Sequence, residues 1–274
     1  MYATVRDIRV HNDWMPVRVE SEEPSRPRSR ILQLSKRPIV DGDFDGSVLG
    51  DIEVLVDGAR IGPESVDAET GLVVLPEDPP AGSSIAVSYY WHPISDREIG
   101  LALAKAAAEV ELVTGRRFGP YRARERVVLT SGSIVRLGDR VVEVESVKIY
   151  TLDGQLLDSA AGFELIDPEN GLLRIKGYEA GRPSGPFFIP SALEVEVTYT
   201  AGYTETPDYI RQYTIMAATL EVLLRFQRML SVERSYGDLV LVVKAPGGLG
   251  ERIEQLRAEL ERFREILPKP VRRV

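Results

Sequence analysis

Apolar residues recur along this chain at two different periods. Ile99, Leu103, Ala106, Val110 and Val113 follow the helical repeat. Ser95-Asp-Arg-Glu98 ahead of them has the spacing of a capping box, and Gly115 suits a left-handed helix end. The pattern predicts an amphipathic helix over 95–114. A second helix is expected from Thr206-Pro207, a cap followed by proline at the first helical position, to about Met229. Its apolar residues, Ile210, Met216, Ala217, Leu220, Leu223 and Leu224, spread over a wide face, which implies burial on more than one side. In the last helix Ile253, Leu256, Leu260, Phe263 and Leu267 alternate spacings of three and four, a narrow stripe suited to one partner helix.

The remaining signals are β. Alternation in Thr4 to Val10 predicts a short strand, and Val17-Arg-Val19 a second. Glu20 to Arg30 carries almost no apolar residue and reads as an exposed linker. Ile52 to Val56, Leu72 to Leu75 and Ile85 to Trp91 are strand-like runs separated by turn residues such as Asp57-Gly58 and Thr70-Gly71. Between the first two helices the same texture returns in Arg126 to Leu129, Ser133 to Leu137, Val141 to Ile149, Phe163 to Ile166, Leu172 to Ile175 and Leu193 to Thr200. Leu239 to Val243 is one more strand candidate, and Pro246 to Gly250 breaks the chain before the last helix. The expected class is α+β: a core of two to three helices with a β-hairpin insertion, plus an N-terminal antiparallel β module. The segments are an arm at 1–30, a β module at 31–93, a helix–β–helix domain at 94–249, and a terminal helix with a basic tail at 250–274.

An internal repeat links the two β regions. Val66-Asp-Ala-Glu-Thr-Gly-Leu-Val-Val-Leu75 aligns with Ile166-Asp-Pro-Glu-Asn-Gly-Leu-Leu-Arg-Ile175. Val56-Asp-Gly58 faces Leu152-Asp-Gly154, Val87-Ser-Tyr89 faces Val197-Thr-Tyr199, and a helix follows each copy. The D-x-E-x-G segments read as hairpin turns with Gly71 and Gly171 at positive φ.

Composition narrows the chemistry. The 274 residues include 0 cysteines, which excludes disulfides, thiol nucleophiles and cysteine-based metal sites. Two histidines, His11 and His92, leave little for imidazole catalysis. A net charge of -8, from 42 acids against 34 bases, disfavours a whole-surface grip on nucleic acid. No run approaches the roughly 20 apolar residues of a membrane span, and Met1 to Asp7 lacks a signal-peptide core, so a cytosolic start and no membrane partner are expected. Nucleophile-elbow, zincin, phosphate-loop and dinucleotide fingerprints are missing from the sequence, and no enzyme activity or cofactor is expected.

Four groups are candidates for interaction. Asp41-Gly-Asp-Phe-Asp-Gly-Ser47 matches the opening of a calcium loop, with Asp41, Asp43 and Asp45 as ligands. Ile52 stands at its twelfth position, where a carboxylate is needed, so a solvated acidic loop competes with the metal. Tyr89 and Trp91 share one face of a strand, as a glycan platform or as ordinary core. Arg116, Arg117, Arg122, Arg124 and Arg126 form the densest basic patch, open to nucleic acid or an acidic protein surface. The terminal stripe and the tail Arg272-Arg273 form the fourth.

The stretch from Ser95 to about Gln227 resembles the head–tail connector, or adaptor, proteins of long-tailed bacteriophages. The resemblance rests on the helix end Glu109-Val-Glu-Leu-Val-Thr-Gly-Arg-Arg-Phe118, on the β insertion closing in Val195-Glu-Val-Thr-Tyr-Thr-Ala-Gly-Tyr203, and on Pro207 leading into the helix to Leu224. It covers about half the chain, and the first 94 residues exceed the usual short members. It implies a structural virion protein, a dodecamer-type ring at the head–tail junction that forms during assembly in the host cytoplasm. Such a ring binds the portal protein, extends the DNA channel with DNA as passing cargo, and offers a surface to a tail or head-completion protein. Under it, Ile253, Leu256, Leu260, Phe263, Leu267, Arg272 and Arg273 become the portal-docking candidates. The competing class is a β-rich binding module that takes calcium or carbohydrate.

Overall fold

In the computed structural model, residues 2–178, 180, 192–229 and 248–268 are described. The class is α+β, with four helices and fifteen strands in four antiparallel sheets among the described residues. The expected strand at 239–243 and the tail residues Arg272 and Arg273 lie outside them.

The chain divides into two compact units. One combines Met1–Gly115 with Tyr209–Val274, and the other is Arg116–Asp208. These units cut across the four consecutive segments expected from the sequence.

The first unit joins four helices to a β module. Helix α1 (Val5–Asn12) stands where a strand was expected. Thr4 and Asp7 cap it reciprocally: the Asp7 amide donates to Thr4 Oγ1 at 3.2 Å, and the Thr4 amide to Asp7 Oδ2 at 2.8 Å. Those two bonds supply free amides of the first turn with partners, which an isolated alternating pattern does not reveal. Helix α2 (Asp96–Thr114) has its Ser95–Glu98 box and its left-handed Gly115, as its sequence predicts. Helix α3 (Asp208–Met229) is buried nearly all round, from Ile210 through Tyr213 to Phe226. Helix α4 (Gly248–Ile266) follows. Asn12 donates to Thr219 of α3 at 2.8 Å, Lys105 pairs with Glu221 at 2.6 Å, and Arg264 reaches Tyr213 at 3.1 Å. Helices α1, α2 and α4 thus each meet α3.

The β module of this unit contains two sheets. Strands β1 (Val17–Glu22), β8 (Ile85–Trp91), β4 (Glu53–Val56) and β5 (Ala59–Ile61) form one, in that order. Strands β2 (Ser25–Arg28), β3 (Ile31–Gln33), β7 (Leu72–Val74) and β6 (Ser65–Asp67) form the other. The supposed linker at 20–30 is therefore part of the sheets. It pairs through its backbone, as edge strands with few buried side chains can. Leu32, Val54, Val73, Val87 and Tyr89 fill the core between the sheets.

The second unit repeats this plan. Strands β9 (Tyr121–Leu129), β15 (Leu193–Ala201), β11 (Val141–Tyr150) and β12 (Leu156–Asp158) lie in the order that β1, β8, β4 and β5 follow. Strands β10 (Ile134–Arg136), β14 (Leu172–Ile175) and β13 (Phe163–Asp167) reproduce β3, β7 and β6. Matching turns close both copies. Leu34 donates to the Gly71 carbonyl and Leu137 to the Gly171 carbonyl, each at 2.9 Å. Asp67 Oδ1 and Asp167 Oδ1 accept from the amides three residues on, at 3.3 and 3.2 Å. These acids are turn-makers in both copies.

A polar clamp is duplicated as well. Tyr89 donates its hydroxyl to Glu22 at 2.6 Å, and Glu22 also accepts the Ser35 amide at 2.6 Å. Tyr199 donates to Glu125, which accepts the Gly138 amide at 2.9 Å. Glu22 lies opposite Val87 and Glu125 opposite Val197, so the two acids hold one position of the frame. Burial, and after it the bond to the carboxylate, pushes both tyrosine hydroxyls well above their usual range.

Among the described residues the copies differ in two places: β2 has no counterpart in the second unit, and the acidic loop interrupts the first. Ile39 bridges to Trp91, and β4 resumes pairing only at Glu53. In the second copy one strand, β11, covers the corresponding stretch from Val141 to Ser146 with two bulges. The acidic loop is an insertion into a frame that otherwise closes without it.

Candidate functional site

Two of the three sequence motifs behind the connector resemblance meet in the second unit. Phe118, from the Thr-Gly-Arg-Arg-Phe exit, stacks on Tyr203, from the Ala-Gly-Tyr entry, with ring centroids 5.7 Å apart. Gly202 has φ 98°, and a Cβ there would lie 2.3 Å from the Gly119 carbonyl oxygen. Only glycine allows that approach. Arg140 lies over the Tyr203 ring at 4.4 Å and pairs with Glu169 at 2.9 Å. The junction is thus a packed knot of two chain crossings.

The basic patch resolves into a charge ladder on one face of β9, β15 and β11. Arg122 pairs with Glu145 at 2.7 Å, and Arg124 and Arg126 both reach Glu196, at 2.7 and 2.8 Å. Arg126 also reaches Glu194 at 3.4 Å and lies over Tyr150. Hydrogen bonds, first from Arg124 and then from Arg126, hold the buried Glu196 carboxylate below its ordinary range. Arg117 sits over Tyr121, and Arg116 is exposed. With three of its five arginines facing glutamates, the patch has little field left for phosphate.

The acidic loop is stapled by its own backbone. Asp41, largely buried, accepts the Phe44 and Gly46 amides at 2.6 Å each. Asp43 accepts from Asp45 and Asp45 from Ser47, while Asp51 accepts the Gly42 amide at 2.7 Å. Asp41, Asp43 and Asp45 each offer one oxygen, all within 4.8 Å of one another. Such a triplet can hold a cation, but both Asp41 oxygens already serve amides. Burial, with the charges of Asp43, Asp41 and Asp45 added, raises the Asp51 carboxyl. Gly42 lies flat on Tyr90, where a Cβ would fall 2.3 Å from the ring.

Tyr89 and Trp91 are not a glycan platform. Both point into the core between the sheets, at 0% and 9% exposure. Their strand is buried on alternate residues, so the shared face is the inner one. His92, buried at the strand-to-helix junction, accepts the Ile94 amide on its Nδ1 at 3.1 Å.

The terminal stripe is likewise covered by the chain itself. Ile253, Leu256, Leu260 and Leu267 are buried and Phe263 is half-buried, so the chain packs on this seam itself. A clamp closes one end of α4. Glu109 Oε1 accepts from Tyr213 at 2.7 Å and from Arg264 at 2.5 Å. Glu111, on another side of α2, accepts instead from Tyr2 at 2.5 Å. Arg9, wholly buried, donates through Nε and Nη2 to Asp96 and also to the Trp14 and Ile94 carbonyls. Neither clamp carries a motif. Their one trace in the sequence is a charge on an otherwise apolar helical face. No helix of the described residues is long and apolar enough to cross a membrane.

No protein-family model and no curated protein sequence matches the chain. Three solved structures are similar to it in part. The neck of an empty gene transfer agent (GTA) particle computed with C6 symmetry is 19% identical at a TM-score of 0.34, over 66% of this chain and 82% of that one. The virion of a native gene transfer agent particle is 21% identical at 0.33, over 65% and 80%. The neck of a native GTA particle computed with C12 symmetry is 18% identical at 0.31, over 64% and 84%. Likenesses at these scores carry no weight in assigning a role.

Proposed function

We propose that the chain is a structural, non-enzymatic subunit of the head–tail neck of a phage-like particle. It forms a homo-oligomeric ring that docks on the portal, continues the DNA channel and receives a tail or head-completion protein. The observation that carries this reading is the Phe118–Tyr203 junction. The residues that resemble connector proteins in sequence build one compact knot here, with Gly202 against Gly119. A net charge of -8 suits a wall past which phosphate slides without sticking. The paired arginines of the β9 face agree with this, since they leave no open basic track.

Burial of the α4 stripe favours the basic tail as the portal contact. Arg272 and Arg273, beyond the helix, are the remaining candidates from the original set, and the acidic surface of a portal is the partner they fit. The β module of residues 31–93 is the candidate for the outer face or for tail contact. The test is to mix the purified full chain with DNA-filled, tail-less heads and image the portal vertex by electron microscopy. Added ring density at that vertex is expected, and it should weaken in an Arg272→Glu/Arg273→Glu chain. Heads that accept tails but never this chain would overturn the reading.

A further inference from the structure

Helix α2 turns an unusual face to solvent. Its exposed residues are Arg97, Leu101, Ala104, Lys105, Ala108 and Leu112, and they fall on one stripe. Leu101 is 50% exposed and Leu112 83%. The acids of α2 all point elsewhere: Asp96 to Arg9, Glu98 to the cap, Glu109 to the clamp and Glu111 to Tyr2. What faces outward is apolar and small in the middle, with Arg97 and Lys105 as its charges, the second already bonded to Glu221 at 2.6 Å.

Helix α4 presents the complement. Opposite its buried seam lie Glu251, Glu254, Ala258, Glu261 and Glu265, with Arg262 as the one base in the stripe. Arg257 and Arg264 bond back to Glu254 and Glu261 from the flanks. An acidic stripe with alanine at its centre fits a basic stripe with two alanines at its centre, because small residues let helix axes approach while charges fix the pairing. The two surfaces differ, so the contact between copies is head-to-tail.

We propose that the α2 face of one copy packs on the α4 face of the next copy of this chain. The contact deepens the ring reading above and rests on it. Leu101 and Leu112 are its apolar anchors, and Arg97 meets the glutamates of α4.

Sedimentation velocity of the full chain tests the contact over a wide concentration range. The wild type should self-associate, less so in high salt. Leu112→Glu should weaken association by about tenfold or more, with an unchanged thermal melt. Glu254→Lys with Glu265→Lys should do the same from the other side. Each of these two variants keeps one good face, so their mixture should form a dimer that grows no further. A wild type that stays monomeric at every concentration, association indifferent to Leu112→Glu, or a mixture that never dimerises would each overturn the contact. Association through other faces would leave the neck reading intact, whereas that reading fails at the portal vertex with self-association unaffected.

Discussion

Arg9 and Asp96 form an ion pair 2.7 Å long in which the guanidinium is wholly buried and the carboxylate one quarter exposed. The pair ties α1 to the first turn of α2. The same carboxylate accepts the Asp41 amide at 2.9 Å, which anchors the acidic loop to that point. Removing the arginine alone leaves the acid and two carbonyls short of donors. Arg9→Met should therefore destabilise the chain by about 3 kcal/mol, read from urea unfolding midpoints. Adding Asp96→Asn should return part of the loss, which a double-mutant cycle would show as coupling.

Gly202→Ala should be among the most damaging single-methyl additions in the chain. The new Cβ meets the Gly119 carbonyl at 2.3 Å on a backbone at φ 98°, where side chains are strained. A loss of about 2–4 kcal/mol is expected, together with loss of near-ultraviolet signal from Phe118 and Tyr203. A chain of normal stability would mean that this junction gives way easily.

Acid should destabilise the protein in two steps. Burial, and after it Arg252, hold His11 below its ordinary 6.5 against the pull of Glu259. The unfolded chain takes that proton first, so stability begins to fall as pH drops below about 6.5. A hydrogen bond from Arg124 lowers Glu196, and one from Lys105 lowers Glu221, both from an ordinary 4.5. Their contribution is whole above 4.5 and is lost as pH falls through the lowered folded values. Unfolding midpoints measured across pH should show both declines, and His11→Gln should erase the first alone.

The acidic loop should stand without calcium. Its buried Asp41 carboxylate is already satisfied by two amides, so melts in excess Ca²⁺ and in chelator are expected to coincide. Asp41→Ala should cost about 1–3 kcal/mol in either condition, because it orphans those amides. A melt that rises only with Ca²⁺ would restore the metal reading.

Much of the fold was legible in the chain. Helix α2 carried its cap, α2 and α3 carried long periodic faces, and the D-x-E-x-G pair disclosed the duplication before any coordinates. The misses share a cause. Strand β2 and the end of β1 at 20–22 are held by backbone pairing at sheet edges, which leaves little side-chain pattern to read. Helix α1 is short enough for its face to pass as alternation. For the interaction residues, charge density misled: neutralising Arg124 and Arg126 takes Glu196, some seventy positions away. The α4 stripe is a packing seam that its own chain covers, which an apolar stripe alone does not disclose.

The paired modules also carry an engineering instruction. Where the first copy wanders from Ile39 to Glu53, the second crosses the same ground from Val141 to Ser146. The molecule therefore contains its own blueprint for excising the acidic loop. The shorter crossing can be transplanted as a ready-made splice, its register prescribed by the Ser88 and Trp91 pairings it would inherit.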